Sequence, residues 1–69
     1  MEKKYKHIII YQNNAHVFRV ENIKHGDDLG EIYYEPTWKQ FVFSPSSSVI
    51  FSVSCMLDII DFIENEIKL

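Results

Sequence analysis

The end of the chain holds the one stretch of helical periodicity in the sequence. From Val53 onward, apolar side chains recur at about 100° per residue, whereas the residues before it alternate or turn as strands do. A single helix can cover only one face of a sheet. The pattern therefore predicts an α+β fold: a small antiparallel sheet of four strands, or five, in the order ββββα, with one C-terminal amphipathic helix packed on one face.

The strands are predicted from runs of β-branched and aromatic residues that alternate in two sets. Asn13 and Asn14 tolerate the left-handed backbone of a tight hairpin and separate the first two runs. Pro36 lies in the short loop of the second hairpin, where no ladder donor is needed. Residues 49–51 are either a brief edge strand or an extended approach to the helix, and strand order is open. The predicted strands cover 5–12, 15–23, 29–34 and 38–43.

Ser52 is the predicted N-cap of the helix, because its hydroxyl can accept a hydrogen bond from the first turn. Ser54 is the alternative. Phe51 and Met56 then occupy the two positions of a hydrophobic staple. The periodicity predicts one apolar stripe against the sheet, with Ile59 on its flank; the stripe consists of Met56, Ile60, Ile63 and Ile67.

Phe62 and Leu69 fall on the opposite, polar side of this helix, beside Asp58 and Asn65. Burying a ring of that size is worth about 1.5–3 kcal/mol. We therefore expect Phe62 to be buried, either by the N-terminal hairpin or by a second chain, and the second chain is favoured. On that expectation, Phe62→Asp shifts the protein toward monomer without unfolding it.

The length bounds both stability and organisation. The 69 residues are expected to form a single domain, 1–69. Cores of this size supply at most about 3–5 kcal/mol. Cys55 is the only cysteine, so an internal disulfide is excluded and a reducing compartment is favoured. A homodimer is the simplest remaining source of stability.

No signal peptide is recognisable, because the apolar run at residues 8–10 is too short. No run approaches the length of a membrane span. We therefore expect a cytoplasmic protein without a membrane partner.

The formal net charge is −3, from 7 Lys+Arg against 10 Asp+Glu. Duplex-binding domains usually carry a basic face. The one basic cluster here, Lys3, Lys4 and Lys6, is interpreted as a solvated tail. Nucleic acid is therefore disfavoured as a partner.

The sequence offers little for catalysis. His7, His16, His25 and Cys55 lack the paired spacing of a structural zinc site. Cys55 falls in the first turn of the helix, where thiol pKa values are lowered, but a lone cysteine there is more typical of packing. Neither a glycine-rich phosphate loop nor a nucleophile elbow is found. We expect no catalytic residue, no metal and no cofactor.

The aromatic side chains suggest a binding surface instead. If the helix side of the sheet carries Ile32 and its same-face neighbours, then Tyr33 and Trp38 stand on the open face or at its rim. Exposed aromatic patches usually mark a partner site, although such rings can also pack on each other or on a second copy. The candidate partner-binding residues are Tyr33, Trp38, Phe62 and Leu69.

Four segments in about the last forty residues form a recognisable pattern: 29–32, 38–45, 51–52 and 57–63. In order they read Leu-Gly-Glu-Ile, a Trp and aromatic strand ending at Pro45, Phe-Ser, and Leu-Asp-Ile-Ile-Asp-Phe-Ile. In these segments the chain resembles a group of short uncharacterised proteins of bacteriophages and other mobile elements. The resemblance implies an accessory protein that binds a host macromolecule, and it supplies no catalytic residues.

Two functions follow as hypotheses. The first is a non-catalytic interaction protein that binds a host protein, in one version an inhibitor of host defence, through the open sheet face or the helix flank bearing Phe62. The alternative is binding of a nucleotide or single-stranded nucleic acid by an aromatic sheet face, with Tyr33, Trp38 and Lys39 as the platform.

Overall fold

Five strands form one antiparallel sheet in which neighbours in sequence are neighbours in space. The structure is a computed structural model that describes residues 1–67. A helix, α1, follows the sheet over Val53–Asp61 and continues as a π-helical turn over Phe62–Glu66. The predicted α+β class, with strands before a C-terminal helix, is confirmed. The strands are β1 Glu2–Lys4, β2 Ile8–Gln12, β3 Val17–Asn22, β4 Asp28–Glu35 and β5 Gln40–Pro45.

The predicted first strand, 5–12, is shorter in the structure: β2 begins only at Ile8, residues 5–7 form a turn, and β1, which was not predicted, precedes that turn. β1 pairs with β2, with Lys3 opposite Ile10, and the turn between them is closed by the Tyr5 N–H donating to the Ile8 carbonyl at 2.8 Å. Lys3 and Lys4 therefore lie in the sheet and do not form a solvated tail. The fifth strand is this N-terminal one, since residues 49–51 belong to no strand.

The turns also differ from the prediction in detail. The loop between β2 and β3 is longer than two residues, and the side chain of Asn14 holds it by accepting from the amides of His16 at 2.8 Å and Val17 at 3.0 Å. β4 is one residue longer at each end than the predicted 29–34, and β5 covers Gln40–Pro45, two residues later than the predicted 38–43. Trp38 consequently lies in the turn and not in a strand, followed by Lys39 in the left-handed region at φ 56°.

One face of the sheet and the helix enclose the core. Direct cross-strand partners share a face, and Ile10 faces Val20 while Phe18 faces Ile32. The Phe62 ring meets the Phe18 ring edge-to-face, with centroids 5.4 Å apart. Within residues 1–67 the core holds no buried polar side chain. Its members are Ile8, Ile10, Phe18, Val20, Ile32, Ile59 and Phe62.

The predicted orientation of the helix is wrong in its first half. Ile59 and Phe62 are 3% and 0% exposed, whereas Met56 and Ile60, assigned to the core from the sequence, are 45% and 48% exposed. The other two residues of the predicted stripe, Ile63 and Ile67, are half-buried and pack against the core as predicted. The helix is thus turned so that the arc through Phe62 meets the sheet. Its start is as predicted, because the Ser52 hydroxyl accepts from the Cys55 amide at 3.1 Å.

Phe62 is therefore buried by its own chain, and no second chain is needed to cover it. This corrects the preference for a partner subunit at Phe62. The physical reason is that apolar residues occupy most of the circumference of the helix, so that periodicity alone does not decide which arc faces the sheet. The largest ring takes the deepest position, where it fills the space over Phe18.

Candidate functional site

The outward side of α1 carries a row of large apolar side chains. Val53, Met56, Leu57 and Ile60 stand at positions i, i+3, i+4 and i+7, which lie on one side of a helix. Ile50, three residues before the helix begins, is also apolar and is 94% exposed. We call these five residues the outer stripe. Their exposed fractions run from 45% to 94%.

A surface helix usually turns its polar side to solvent. Here both the inner and the outer arcs are apolar, and the outer stripe supplies five of the nine large hydrophobic side chains that are exposed among residues 1–67. Single exposed apolar residues need no explanation, but contiguous ones mark interaction surfaces. The outer stripe is therefore the candidate functional site.

The charges beside the outer stripe have one sign. Glu64 is exposed and continues the line of Ile60 by one turn, and Asp58 and Asp61 stand on the flank. Residues 46–67 contain no lysine, arginine or histidine. The outer stripe is thus an apolar row with an acidic border.

Asp61 is already engaged by the fold. Its carboxylate accepts a hydrogen bond from the Tyr5 hydroxyl at 2.7 Å and from the Asn65 amide at 2.9 Å. The Lys3 ammonium forms ion pairs with Asp61 at 3.5 Å and with Glu66 at 3.0 Å. These contacts tie β1 to the helix across nearly the whole chain. They also favour the ionised carboxylate, because the hydrogen bond from Tyr5, with those of Asn65 and Lys3, lowers the pKa of Asp61.

We expect this junction to make the protein sensitive to acid. The folded pKa of Asp61 lies below the unfolded value of about 3.9. The contribution is therefore fully present above that value and is lost as the pH falls through the folded pKa. Urea denaturation at a series of pH values should show stability falling in this acidic range, and Asp61→Asn should flatten the decline. An Asp61→Asn protein with the wild-type pH dependence would contradict this assignment.

Asp28 provides a second, independent acid-sensitive contact, so that the decline in Asp61→Asn should be reduced and not abolished. Burial raises the pKa of Asp28, but hydrogen bonds from Arg19 and Ser46 and the charge of Arg19 outweigh it and lower the pKa overall. Ser46 donates to Asp28 at 3.1 Å.

Tyr5→Phe is the matched control for the first junction, since it removes the largest cause of the Asp61 shift while keeping the ring.

The sheet face opposite the core is polar at its centre. Arg19 donates to Glu31 at 2.9 Å and also pairs with Asp28, while the Tyr11 hydroxyl donates to Glu21 at 2.6 Å. These residues follow one another across β2, β3 and β4. By register, this face carries five carboxylates and two basic side chains: Glu2, Glu21, Asp28, Glu31 and Glu35 against Lys4 and Arg19.

The predicted binding residues fall in different places. Tyr33 lies on this open face, half-buried, with Val17 and Val42 as its cross-strand neighbours. Trp38 is 66% exposed in the turn between β4 and β5. Phe62 lies in the core, which removes it as a partner contact while the fold is intact. The prediction for Leu69 lies outside the described residues.

A concavity of about 980 Å³ opens at one end of the sheet. Its wall combines apolar side chains with few polar ones, among them Phe18, Tyr34, Phe41 and His16. The rings of Tyr34 and Phe41 pack edge-to-face at 5.4 Å.

The side chains suited to metal or nucleophilic chemistry lie apart. His7 precedes β2 and His16 follows it, so that the two histidines are at opposite ends of that strand. In the part of the chain that the structure describes, no three His, Cys, Asp or Glu side chains are grouped to hold a metal ion. Cys55 is half-buried at the N-terminal turn of α1.

Comparison with known proteins identifies no relative: the chain matches no protein-family model, no curated protein and no solved structure. Among residues 1–67, neither the α-helix nor the π-helical turn is long and apolar enough to cross a membrane.

The outer stripe was missed in the sequence because Met56 and Ile60 were assigned to the core. Phe62 was the signal that could have revealed it. If the largest ring is placed against the sheet, the helical wheel turns Val53, Leu57 and Ile60 outward.

Proposed function

We propose that this protein is a non-catalytic interaction module that docks on a partner protein through the outer stripe of α1. The observation that carries the proposal is the spacing of Val53, Met56, Leu57 and Ile60, all substantially exposed. Helices that bind in grooves use anchors at i, i+3, i+4 and i+7. The partner would thus offer an apolar groove about as long as this short helix.

The acidic border of the outer stripe predicts the charge of the rim around that groove. Complementary charge steers association and excludes wrong partners, so that the fitting rim carries lysine or arginine. Two copies of this helix would bring Asp58 and Glu64 near acidic residues of their own kind, with no basic side chain in 46–67 to offset them. The proposed occupant is therefore a different, basic-rimmed protein. A host protein bound by a phage or mobile-element accessory protein, including one of host defence, is the setting that the sequence resemblance suggests.

The alternative, nucleic-acid binding through the open sheet face, gains no support from the arrangement of charges. Tyr33 stands among carboxylates, with Glu31 and Glu35 at alternate positions of the same strand on the same face. Single-strand binders combine aromatic platforms with a positive groove. We therefore do not propose this function.

Leu57→Glu tests the docking proposal, with Trp38→Ala as the matched control. Leu57 is 58% exposed and Trp38 is 66% exposed, so neither substitution should unfold the chain. A buried anchor at an interface is worth about 2 kcal/mol or more, which corresponds to about 30-fold in affinity. Leu57→Glu should weaken binding by at least that factor and Trp38→Ala should not.

The partner can be found by placing a photo-crosslinking residue at position 57 in one variant and at position 33 in another. Crosslinks to one host protein from position 57 alone are expected, and calorimetric titration of that purified protein then measures the two substitutions. Crosslinking from position 33 alone, or a partner that binds the Leu57→Glu protein as tightly as wild type, would reject the outer stripe as the docking surface.

A further inference from the structure

β5 is an edge strand, and its outer side pairs with no other strand of residues 1–67. It pairs with β4 alone. The Ser46 amide donates to the Leu29 carbonyl at 3.0 Å, and antiparallel ladders alternate. Val42 therefore directs its backbone groups to β4, while Phe41 and Phe43 direct theirs outward. No backbone hydrogen bond within residues 1–67 reaches β5 from that outer side.

Pro45 agrees with this assignment. Pro45 is two residues beyond Phe43, so its backbone groups also point to the outer side of β5. The N–H that proline lacks would therefore have pointed away from β4, which loses no hydrogen bond. The outward row thus offers the N–H and carbonyl groups of Phe41 and Phe43 and the carbonyl of Pro45. These groups are the ones that an added strand would use.

The two edges of the sheet are protected to different degrees. β1 has only three residues, Glu2, Lys3 and Lys4, and all three are charged. Short edges and lysines are the usual means by which proteins prevent strand addition. β5 has six residues, Gln40 to Pro45, and none is charged. Of the two edges, only β5 is built to accept another strand.

The sequence of β5 is nearly symmetric about Val42. It reads Gln-Phe-Val-Phe-Ser over residues 40–44. If two copies pair antiparallel about this centre, Val42 meets Val42, Phe41 meets Phe43 of the second copy, and Gln40 meets Ser44 of the second copy. Each Phe41–Phe43 pair would exchange both backbone hydrogen bonds, and no charge would face a like charge.

We propose that β5 is the dimerisation edge of this protein and that its occupant is the β5 strand of a second copy, antiparallel and centred on Val42. The two sheets become one continuous sheet with a two-fold axis perpendicular to it. Such an isologous contact closes on itself, because each copy uses the same β5 edge. The edges that remain are the short, lysine-bearing β1 strands, which resist further strand addition. Both α1 helices then lie on the same side, with their outer stripes uncovered. This inference does not depend on the docking function proposed above.

The register can be tested by charge. Within one chain, Gln40 lies opposite Glu35 and Ser44 lies opposite Glu31. Lysine at either position therefore gains a carboxylate neighbour in its own sheet, and folding is not endangered. Across the proposed dimer, lysines introduced at both positions would face each other twice. Gln40→Lys/Ser44→Lys should weaken dimerisation by about tenfold or more.

The single variants are the matched controls, since each introduced lysine meets a neutral side chain of the second copy. Sedimentation equilibrium should show a wild-type dimer at high micromolar concentration, dimers for Gln40→Lys and Ser44→Lys, and a monomer for the double variant at the same concentration. Amide exchange of Phe41 and Phe43 should slow in the wild-type protein as its concentration rises.

Three outcomes would overturn the proposal. The first is a wild-type protein that remains monomeric at high micromolar concentration. The second is a dimer that the double substitution leaves unchanged. The third is a dimer that Leu57→Glu dissociates, because that result would place the contact on the outer stripe. If the dimer forms as proposed but no protein is crosslinked from position 57, the docking proposal fails and the β5 contact stands.

Discussion

Phe62→Ala should leave most of the protein unfolded at room temperature. The Phe62 side chain is 0% exposed and packs edge-to-face on Phe18 at 5.4 Å. Truncation of a buried phenylalanine to alanine costs about 3–5 kcal/mol. A chain of this length has a total stability of about that size. Circular dichroism during urea titration should show loss of the cooperative native baseline.

Leu57→Ala is the control on the same helix. Leu57 is 58% exposed and alanine is the best helix former, so its free energy of unfolding should change by less than about 0.5–1 kcal/mol. A Phe62→Ala protein that unfolds at the wild-type urea concentration would show that the ring is not part of the core. Because Phe62 is 0% exposed, Phe62→Asp should also unfold the chain. This replaces the expectation from the sequence that Phe62→Asp gives a folded monomer.

The parts of the fold that the sequence predicted are those that local signals encode. Alternation along β2 and β3 placed Ile8, Ile10, Phe18 and Val20 in strands, and the structure buries all four. The Ser52 cap was predictable because its partner, the Cys55 amide, is three residues away. The loop of the second hairpin is longer than the predicted 35–37, because Lys39 adopts a left-handed backbone and β5 begins only at Gln40, which places Trp38 in the turn.

The parts that were missed depend on distant contacts. β1 has no apolar alternation of its own, and Lys3 is held by Asp61 and Glu66, 58 and 63 residues away. No local pattern reports such a contact. The orientation of the helix is a similar case. The side that faces the sheet is decided by which side chain fits over Phe18, and not by the spacing of apolar residues along the helix.

The candidate site depends on the same choice of which side of the helix faces the sheet. Sequence reasoning correctly separated Tyr33 from the helix side of the sheet, since alternation alone determines it. It could not find the outer stripe, because Met56 and Ile60 are apolar in either orientation of the helix. A helix whose two sides are both apolar must bury one and present the other, and the tertiary contacts of Phe62 make that choice.

Among substitutions that add a single methyl group in the sheet, Gly30→Ala should cause the largest loss of folding stability. Gly30 lies in β4 at φ +144°, a conformation that side chains with a Cβ rarely adopt. An added Cβ would stand 2.9 Å from Cε1 of Phe43 and 2.9 Å from Cα of Pro45, and closer still to the Ser44 carbonyl. The strained backbone and the overpacking each cost about 1–3 kcal/mol. Together they approach the whole stability of a domain this small.

Gly26→Ala separates the two causes. Gly26 also has a positive φ, +70°, but nothing lies within 4 Å of the Cβ that alanine would add. Its cost should therefore be limited to the left-handed backbone, about 1–2 kcal/mol. Paired urea titrations should show Gly30→Ala losing clearly more stability than Gly26→Ala. Equal losses would mean that β5 can move away from Gly30 at little cost, and the close approach of the two strands would then not be what fixes glycine at this position.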